Sequence, residues 1–269
     1  MLTEQEFNRI VSYMHSRFGI DLSRKREMVA GRLENYLLQG GYESYTDYMD
    51  RAEADENGKE AVNLVNVLTT NHTYFMRESA HFAYFKQVVL PQLRQKEAAS
   101  KDLRIWSAAS STGEEPYTLA MILMDYFGEE HVRWDTKILA TDLSGRVLQQ
   151  AKRGIYQKEQ IKPLPAQWQE QYFKRVSDKE YEVTDALKNE VIYRQFNLMH
   201  PFPFRKKFHV VFLRNVMLYF DEEVRRKLLC KIYDYMEPGG YLFIGTTEGL
   251  DESPAKFQFV QSSVYRKVE

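Results

Sequence analysis

Along the first hundred residues the apolar positions recur every three to four places, which is the period of helices packed on one face. Phe7, Ile10, Val11, Met14 and Phe18 form the first such face, with Thr3 and Glu6 in a capping-box arrangement before it and Gly19 as its stop. Ser23 is expected to open a second helix carrying Met28, Val29, Leu33, Tyr36 and Leu37, ended by Gly40 and Gly41. A third helix starts near Ser44, and "KEAVNLVNVL" gives a fourth. The segment "ESAHFAYFKQVVLPQLRQ" reads as a fifth, kinked at Pro91.

After the polar stretch "RQKEAASKD" the pattern changes to short apolar runs separated by helical segments. "LRIWSAA", "TKILATD", "KFHVVFLRN" and "GGYLFIGT" read as strands, and "PYTLAMILMDYFG", "SGRVLQQAKRG" and "DEEVRRKLLCKIYDYM" as the helices between them. "FQFVQSSVYRKV" reads as a closing hairpin. Alternation of this kind predicts an α/β fold, a doubly wound, mostly parallel sheet with its site at the carboxyl ends of the strands. The small all-helical domain is expected over residues 1–75 and the sheet domain over 76–269. Short alternating runs around "SDKE" and "ALKN" add a small antiparallel β-subdomain, expected as an insertion at about 171–193.

Composition narrows the class. The chain has 269 residues, 43% hydrophobic and 28% charged, with a formal net charge of -1, so it is an ordinary globular protein and not a bulk nucleic-acid binder. Its single cysteine, Cys230, excludes an internal disulfide framework and a cysteine-based metal cluster, and points to a reducing compartment, with the cytoplasm as the default. The start "MLTEQEFNRI" carries charges where a signal peptide needs apolar residues, and no run is long enough to span or insert in a membrane. A monomer with no metal is expected.

The chemistry concentrates at strand ends. "SAASSTGEEPYTLAM" looks like a strand-to-helix loop that cradles a nucleotide, yet Glu114 and Glu115 follow its one glycine, where a pyrophosphate would be repelled. The ligand therefore offers hydroxyls or a cation and still lies against bare backbone. S-adenosylmethionine fits, with an adenosine, a sulfonium and an ammonium but no phosphate. Asp142, at the end of the next strand, is placed to accept hydrogen bonds from the ribose hydroxyls. Read singly, the glutamates could merely complement a helix dipole and Asp142 could be a cap; it is their placement on consecutive strand ends that points to a site.

Together "TTNHTYFMRE", "WSAASSTGEEPYTLAM", "ATDLSGRVLQQAKRGIY", "FHVVFLRNVMLYF" and "PGGYLFIGTTEGL" closely resemble the CheR-type chemotaxis receptor methyltransferases. The resemblance covers nearly the whole chain: "GIDLSRKREMVAGRL" is similar to the family's helical domain, and the 171–193 insertion to its β-subdomain. It implies methyl esterification of glutamate side chains on the cytoplasmic helices of chemoreceptors, with S-adenosylmethionine as donor and S-adenosylhomocysteine as product. It also implies cofactor contacts at Asn71, Thr73, Arg77, Glu115, Asp142, Asn197, Leu198, Arg214 and Asn215, with Arg77 and Tyr219 nearest the chemistry. Ala109 and Ser110 stand where many relatives carry Gly-Cys, and Thr247 where serine is common. Arg24, Lys25, Arg26 and Arg32, on or beside one helix, are expected to meet the acidic receptor bundle, and the β-subdomain is a candidate dock for a receptor's C-terminal tether. A nicotinamide dehydrogenase would need a richer glycine loop, a small-molecule methyltransferase would not need the helical domain, and a non-catalytic sensor would tolerate loss of Arg77 and Tyr219.

Overall fold

The four expected N-terminal helices form as α1 (Glu4–Phe18), α2 (Arg26–Gly40), α3 (Tyr45–Ala54) and α4 (Lys59–Leu68) in a computed structural model that describes residues 1–55, 58–250 and 255–268. The capping box at Thr3 and Glu6 is made, and Gly19 closes α1 in the left-handed region at φ 70°. Ser23 does not open α2. Its backbone N–H donates to Asp21 at 2.9 Å in a short turn, and the helix begins three residues later with no side-chain cap. Ile10, Met14, Val29, Leu33, Met49 and Leu64 bury themselves in the core of this layer.

The fifth expected helix is broken into α5 (Ser79–Tyr84) and α6 (Leu90–Lys96), separated by a π-helical turn at Phe85–Val89. Pro91 lacks an N–H and its ring would strike the carbonyl one turn back, so the ladder widens just before it instead of kinking at it.

The sheet strands are β1 (Ile105–Ala108), β2 (Ile138–Asp142), β3 (Ile155–Gln157), β4 (Phe173–Arg175), β5 (Glu180–Val183), β6 (Val191–Gln195), β7 (Phe208–Leu213), β8 (Met236–Ile244), β9 (Phe257–Gln261) and β10 (Val264–Lys267). Seven of them form one sheet in the order β6-β2-β1-β7-β8-β10-β9, with β6 to β8 parallel and the closing hairpin antiparallel. The helices α7 (Glu114–Phe127), α8 (Gly145–Arg153) and α12 (Glu222–Asp234) follow β1, β2 and β7, and the short α9 (Lys158–Ile161), α10 (Ala166–Tyr172) and α11 (Asp185–Lys188) lie between β3 and β6. All six residues of β7 are buried, as expected of a central parallel strand covered on both faces.

The small antiparallel sheet has the order β3-β5-β4. The hairpin around "SDKE" is present as β4 and β5, but the third strand comes from Ile155–Gln157, ahead of the 171–193 segment. "ALKN" turns through α11, and the following run pairs in parallel with β2 as the sheet's edge. Along this run buried Val191 and Tyr193 alternate with exposed Ile192, a pattern shared by antiparallel strands. It arises because an edge strand buries one face whichever way its neighbour runs.

The helical layer meets the sheet at its carboxyl edge. Asp21 donates its N–H to the carbonyl of Tyr219 at 2.8 Å, Ile20 and Phe220 form an antiparallel bridge, and Asn197 donates to the carbonyl of Arg17 at 2.9 Å. His15 and Asp221 add an ion pair at 2.5 Å. These bonds hold α1 against the strand ends, and the cavity lies between them. No helix among the described residues is long and apolar enough to cross a membrane.

Candidate functional site

The loop after β1 is strained by its own conformation. Ala109 has φ 61°, Ser111 φ 49° and Gly113 φ 98°, so a run that only glycine enters without penalty is taken by one glycine and two other residues. Gly113 admits no side chain: an added Cβ would meet the Tyr193 and Tyr156 hydroxyls and the Ala151 Cβ at 2.8 to 2.9 Å. The curled loop turns its amides toward the end of β2. There Asp142 accepts from the backbone N–H of Ser111 on one oxygen and of Ser144 on the other, each at 2.9 Å. Burial pushes the Asp142 carboxyl up, and the backbone amides offset part of that shift.

The two glutamates that open α7 part company. Glu114 is buried behind the loop, where Thr112 donates to it at 2.6 Å and burial raises its carboxyl. Glu115 faces the cavity, accepting from Ser107 at 2.7 Å and from Arg214 at 2.6 Å. Of the pair, Glu115 is the one that can touch a ligand.

Arg214, only 6% exposed at the end of β7, lies between two carboxylates, Glu115 and Glu78. Its guanidinium sits 5.3 Å from the Phe82 ring centroid, and it also donates to the backbone carbonyl of Arg77. Glu78 is held below the ordinary carboxylate range: burial acts against this, but Arg214, Asn215 and the N–H of Thr246 outweigh it. Arg77 therefore does not pair with its neighbour Glu78. Its guanidinium donates to the carbonyl of His72 at 2.6 Å and stands 6.0 Å from the Tyr74 ring, with no carboxylate partner among the described residues.

All ten residues expected at the cofactor or at the chemistry line one cavity. Asn71, Thr73 and Arg77 come from the segment after α4, Glu115 from α7, Asp142 from β2, Asn197 and Leu198 from beyond β6, and Arg214, Asn215 and Tyr219 from beyond β7. The empty space at the cavity, its open mouth included, is about 1030 Å³. Two of its lining groups, the Ser110 hydroxyl and the Arg214 Nε, are buried without a hydrogen-bond partner. Such groups are costly unless a ligand satisfies them. Phe18, Ile20, Phe196 and Phe220 give apolar walls. An adenosine joined to a cationic amino acid fits this lining: an acceptor pair for ribose at Asp142, apolar walls for a base, and carboxylates for cations.

Several of the expected residues also join the parts of the fold. Asn197 reaches Arg17 and accepts from the N–H of Met199 at 2.9 Å, and the Leu198 carbonyl accepts from Lys231 at 2.6 Å. The Tyr219 hydroxyl donates to the Thr70 carbonyl at 2.9 Å and accepts from the Thr70 N–H at 3.3 Å. The basic residues of the helical layer lie apart from the cavity lining. Arg26 pairs with Glu4 and donates to the Leu2 carbonyl at 2.9 Å, while Arg32 caps the end of α4 through the carbonyls of Val67 and Thr69 at 3.4 and 3.1 Å. Arg24 is exposed, and Lys25 stands 5.8 Å from the Tyr219 ring.

Two carboxylates were not singled out by the sequence. Glu78 accepts from Arg214, Asn215 and the N–H of Thr246, and Glu248 accepts the backbone N–H groups of Asn215, Leu218 and Gly245 at 2.8, 3.2 and 2.6 Å, binding the loops after β7 and β8 together. Glu248 follows a strand end, the same signal that marked Asp142.

The doubly wound sheet, with Glu115 and Asp142 at one cavity, is that of a methyltransferase domain that binds S-adenosylmethionine. Residues 71–266 match the CheR methyltransferase SAM binding domain and residues 5–69 its all-alpha domain; the chain belongs to the CheR methyltransferase family. It is 37% identical to a chemotaxis protein methyltransferase of Borreliella burgdorferi over 99% of this chain and 95% of that protein. It is 35% identical to chemotaxis protein methyltransferase 1 of Pseudomonas aeruginosa, covering 97% of each. The corresponding Escherichia coli protein is 34% identical over 98% of this chain and 91% of its own length.

Proposed function

We propose that this enzyme transfers the methyl group of S-adenosylmethionine to glutamate side chains of chemoreceptors, leaving methyl esters and S-adenosylhomocysteine. The observation that carries the reading is the contrast between the two cavity arginines. Arg214 is paired with Glu115 and Glu78, whereas Arg77 at the same cavity has no direct carboxylate partner among the described residues. A site with one uncompensated cation beside a methyl donor favours an anionic acceptor. The names of the relatives supply the setting, chemotaxis.

When bound, the donor supplies a methyl carbon made electrophilic by its sulfonium. Asp142 would hold the ribose, Glu115 and Arg214 would meet the amino acid part, and Asn71, Thr73, Asn197, Leu198 and Asn215 would complete the lining. An acceptor glutamate, with an ordinary pKa of about 4.3, is already ionised at neutral pH and needs no general base. Arg77 orients its oxygen through a fixed fork of donors, and Tyr219 forms the wall beside it. The apolar side chains from α1 and the β7 loop keep water from the reacting anion.

Arg24 and Lys25 give the receptor a basic approach, and Arg26 and Arg32 add charge while also holding their own domain together. Docking of a receptor tether on the small sheet, action as a monomer and residence in the cytoplasm belong to the same reading. The test incubates the protein with labelled S-adenosylmethionine and receptor-bearing membranes. Label that base releases as an ester does is the expected result; no transfer, or label that resists base, overturns the proposal. Charge reversal at Arg24 and Lys25 should lower transfer and leave S-adenosylhomocysteine affinity unchanged.

A further inference from the structure

Arg77 sits on a turn that cannot hold itself. The residues on both sides of it, Met76 at φ 62° and Glu78 at φ 56°, occupy the left-handed region, which costs energy at any residue with a side chain. Such a turn persists only where its surroundings fix it: Phe75, just before it, is buried against Tyr156 and Phe173, and the Glu78 side chain supplies its hydrogen bonds to the strand-end loops. The Glu78 carboxylate is 14% exposed and does not line the cavity. One oxygen accepts from Asn215 Nδ2 at 3.1 Å, the other from Arg214 and from the Thr246 N–H, each at 3.2 Å. Glu78 thus ties the turn to the loops after both β7 and β8. Arg214 completes the tie by donating to the Arg77 carbonyl. The remaining bonds of Arg77, from its N–H to the Tyr74 carbonyl at 3.2 Å and from its guanidinium to His72, stay within the same segment and cannot place that segment on the sheet.

We infer that Glu78 is a positioning residue that locks the Arg77-bearing turn onto the strand ends and so sets where the Arg77 guanidinium meets the acceptor. The inference rests on the function proposed above. Glu78 touches neither donor nor acceptor; its effect passes through Arg77. Two features separate this from a general structural role. The lock joins three loops at the cavity rim rather than packing the core, and Glu115 continues to hold Arg214 when Glu78 is gone.

The test compares Glu78→Ala, Glu78→Gln, Arg77→Ala and the double variant Arg77→Ala/Glu78→Ala by three measurements. Single-turnover methyl transfer to receptor membranes should slow about tenfold in Glu78→Ala. S-adenosylhomocysteine affinity, read by calorimetry, should change no more than about threefold, because Asp142 and Glu115 remain. Hydrogen exchange of the amides at 74–81 should speed up in Glu78→Ala and less so in Glu78→Gln, whose amide can still accept and whose Asn215 partner can turn over to match. The double variant should be no slower than Arg77→Ala alone. Parental transfer in Glu78→Ala, unchanged exchange at 74–81, or additive losses in the double variant each overturn the inference. If Glu78→Ala does not fold, Glu78→Gln is read instead: smaller shifts of the same sign in transfer and exchange are expected, and parental values in both overturn the inference. A parental protein that transfers no methyl to receptors defeats the functional reading instead, and the exchange and affinity measurements still decide the role of Glu78.

Discussion

The cavity has a floor and a roof, and they are built in different ways. The floor is the loop after β1 together with Asp142 at the end of β2, held by bonds between strand neighbours such as Ser111 to Asp142. The roof is the segment from Thr69 to Glu78 with Tyr219, held by bonds that jump the chain: Ser111 to the Asn71 carbonyl, Tyr219 to Thr70, Glu78 to Asn215 and Thr246. The floor is thus held mainly by neighbouring strand ends, and the roof by contacts between distant parts of the chain. On the function proposed above, the floor carries the main cofactor contacts, Asp142 and Glu115, and the roof adds Asn71 and Thr73 and carries Arg77, which aligns the acceptor.

The most severe way to break this division is Asp142→Ala. It removes the acceptor for the ribose and leaves the Ser111 and Ser144 amides without their partner, so S-adenosylhomocysteine affinity should fall about a hundredfold, roughly 3 kcal/mol. Calorimetry reads it directly. An unchanged affinity would move the cofactor off the floor.

Acid should separate the two parts next. His81, 2% exposed beneath the roof turn, is lowered to about 4, by burial first and by Arg214 second. A depressed pKa gives stability that is present above the unfolded value near 6.5 and is lost as pH falls towards 4. Glu78 acts in the same direction, but below its unfolded value near 4.5. Asp142 is raised, so its contribution is kept in acid and is lost as pH rises through its folded value. Between pH 7.5 and 5 the roof should therefore lose about 2 kcal/mol of protection through His81 while the floor holds. Hydrogen exchange, corrected for its intrinsic pH dependence, should show faster opening at 74–81 than at 107–113. His81→Gln should remove most of the difference.

Arg77→Ala comes third. It should lower the rate constant for transfer by about tenfold or somewhat more and leave S-adenosylhomocysteine affinity within a few fold, because the lost interaction aligns the acceptor. A parental single-turnover rate in the folded variant would remove Arg77 from the chemistry and leave the roof a mere cover.

The same division decides how much could be read in advance. The floor was legible because its signals are local: an acidic residue at a strand end, and two glutamates where a phosphate would otherwise sit, are visible in a dozen consecutive letters. The strands, the capping box at Thr3 and the stop at Gly19 are equally local. The roof was legible only as a segment with a family resemblance. Nothing in "MRE" tells that Glu78 passes over its neighbour to reach Arg214, 136 residues away. The small sheet was misplaced for the same reason: which short run pairs with which depends on distant strands, and Val191–Gln195 belongs to β2. Arg26 and Arg32 read as free charge because their carbonyl partners at Leu2, Val67 and Thr69 carry no sequence signal at all.

The smallest expected effect sharpens the account of the floor. Ala109 holds φ 61°, a conformation in which an alanine is disfavoured by about 1 kcal/mol or more and a glycine is not. Glycine also gives the unfolded chain more freedom, which takes back part of the gain. Ala109→Gly should therefore stabilise the protein by only about 0.5 kcal/mol, a shift in melting temperature on the order of 1 °C for a chain of this length. Ser111→Gly, at φ 49°, should not show the same gain, because it also removes the hydroxyl that donates to the Asn71 carbonyl at 3.0 Å and so couples floor to roof. Chemical denaturation of the two variants side by side reads the difference. If both gain equally, the Ser111 hydroxyl contributes nothing and the two parts are independent. If Ala109→Gly loses stability, the Ala109 methyl packs against the cavity wall more than its strained backbone costs.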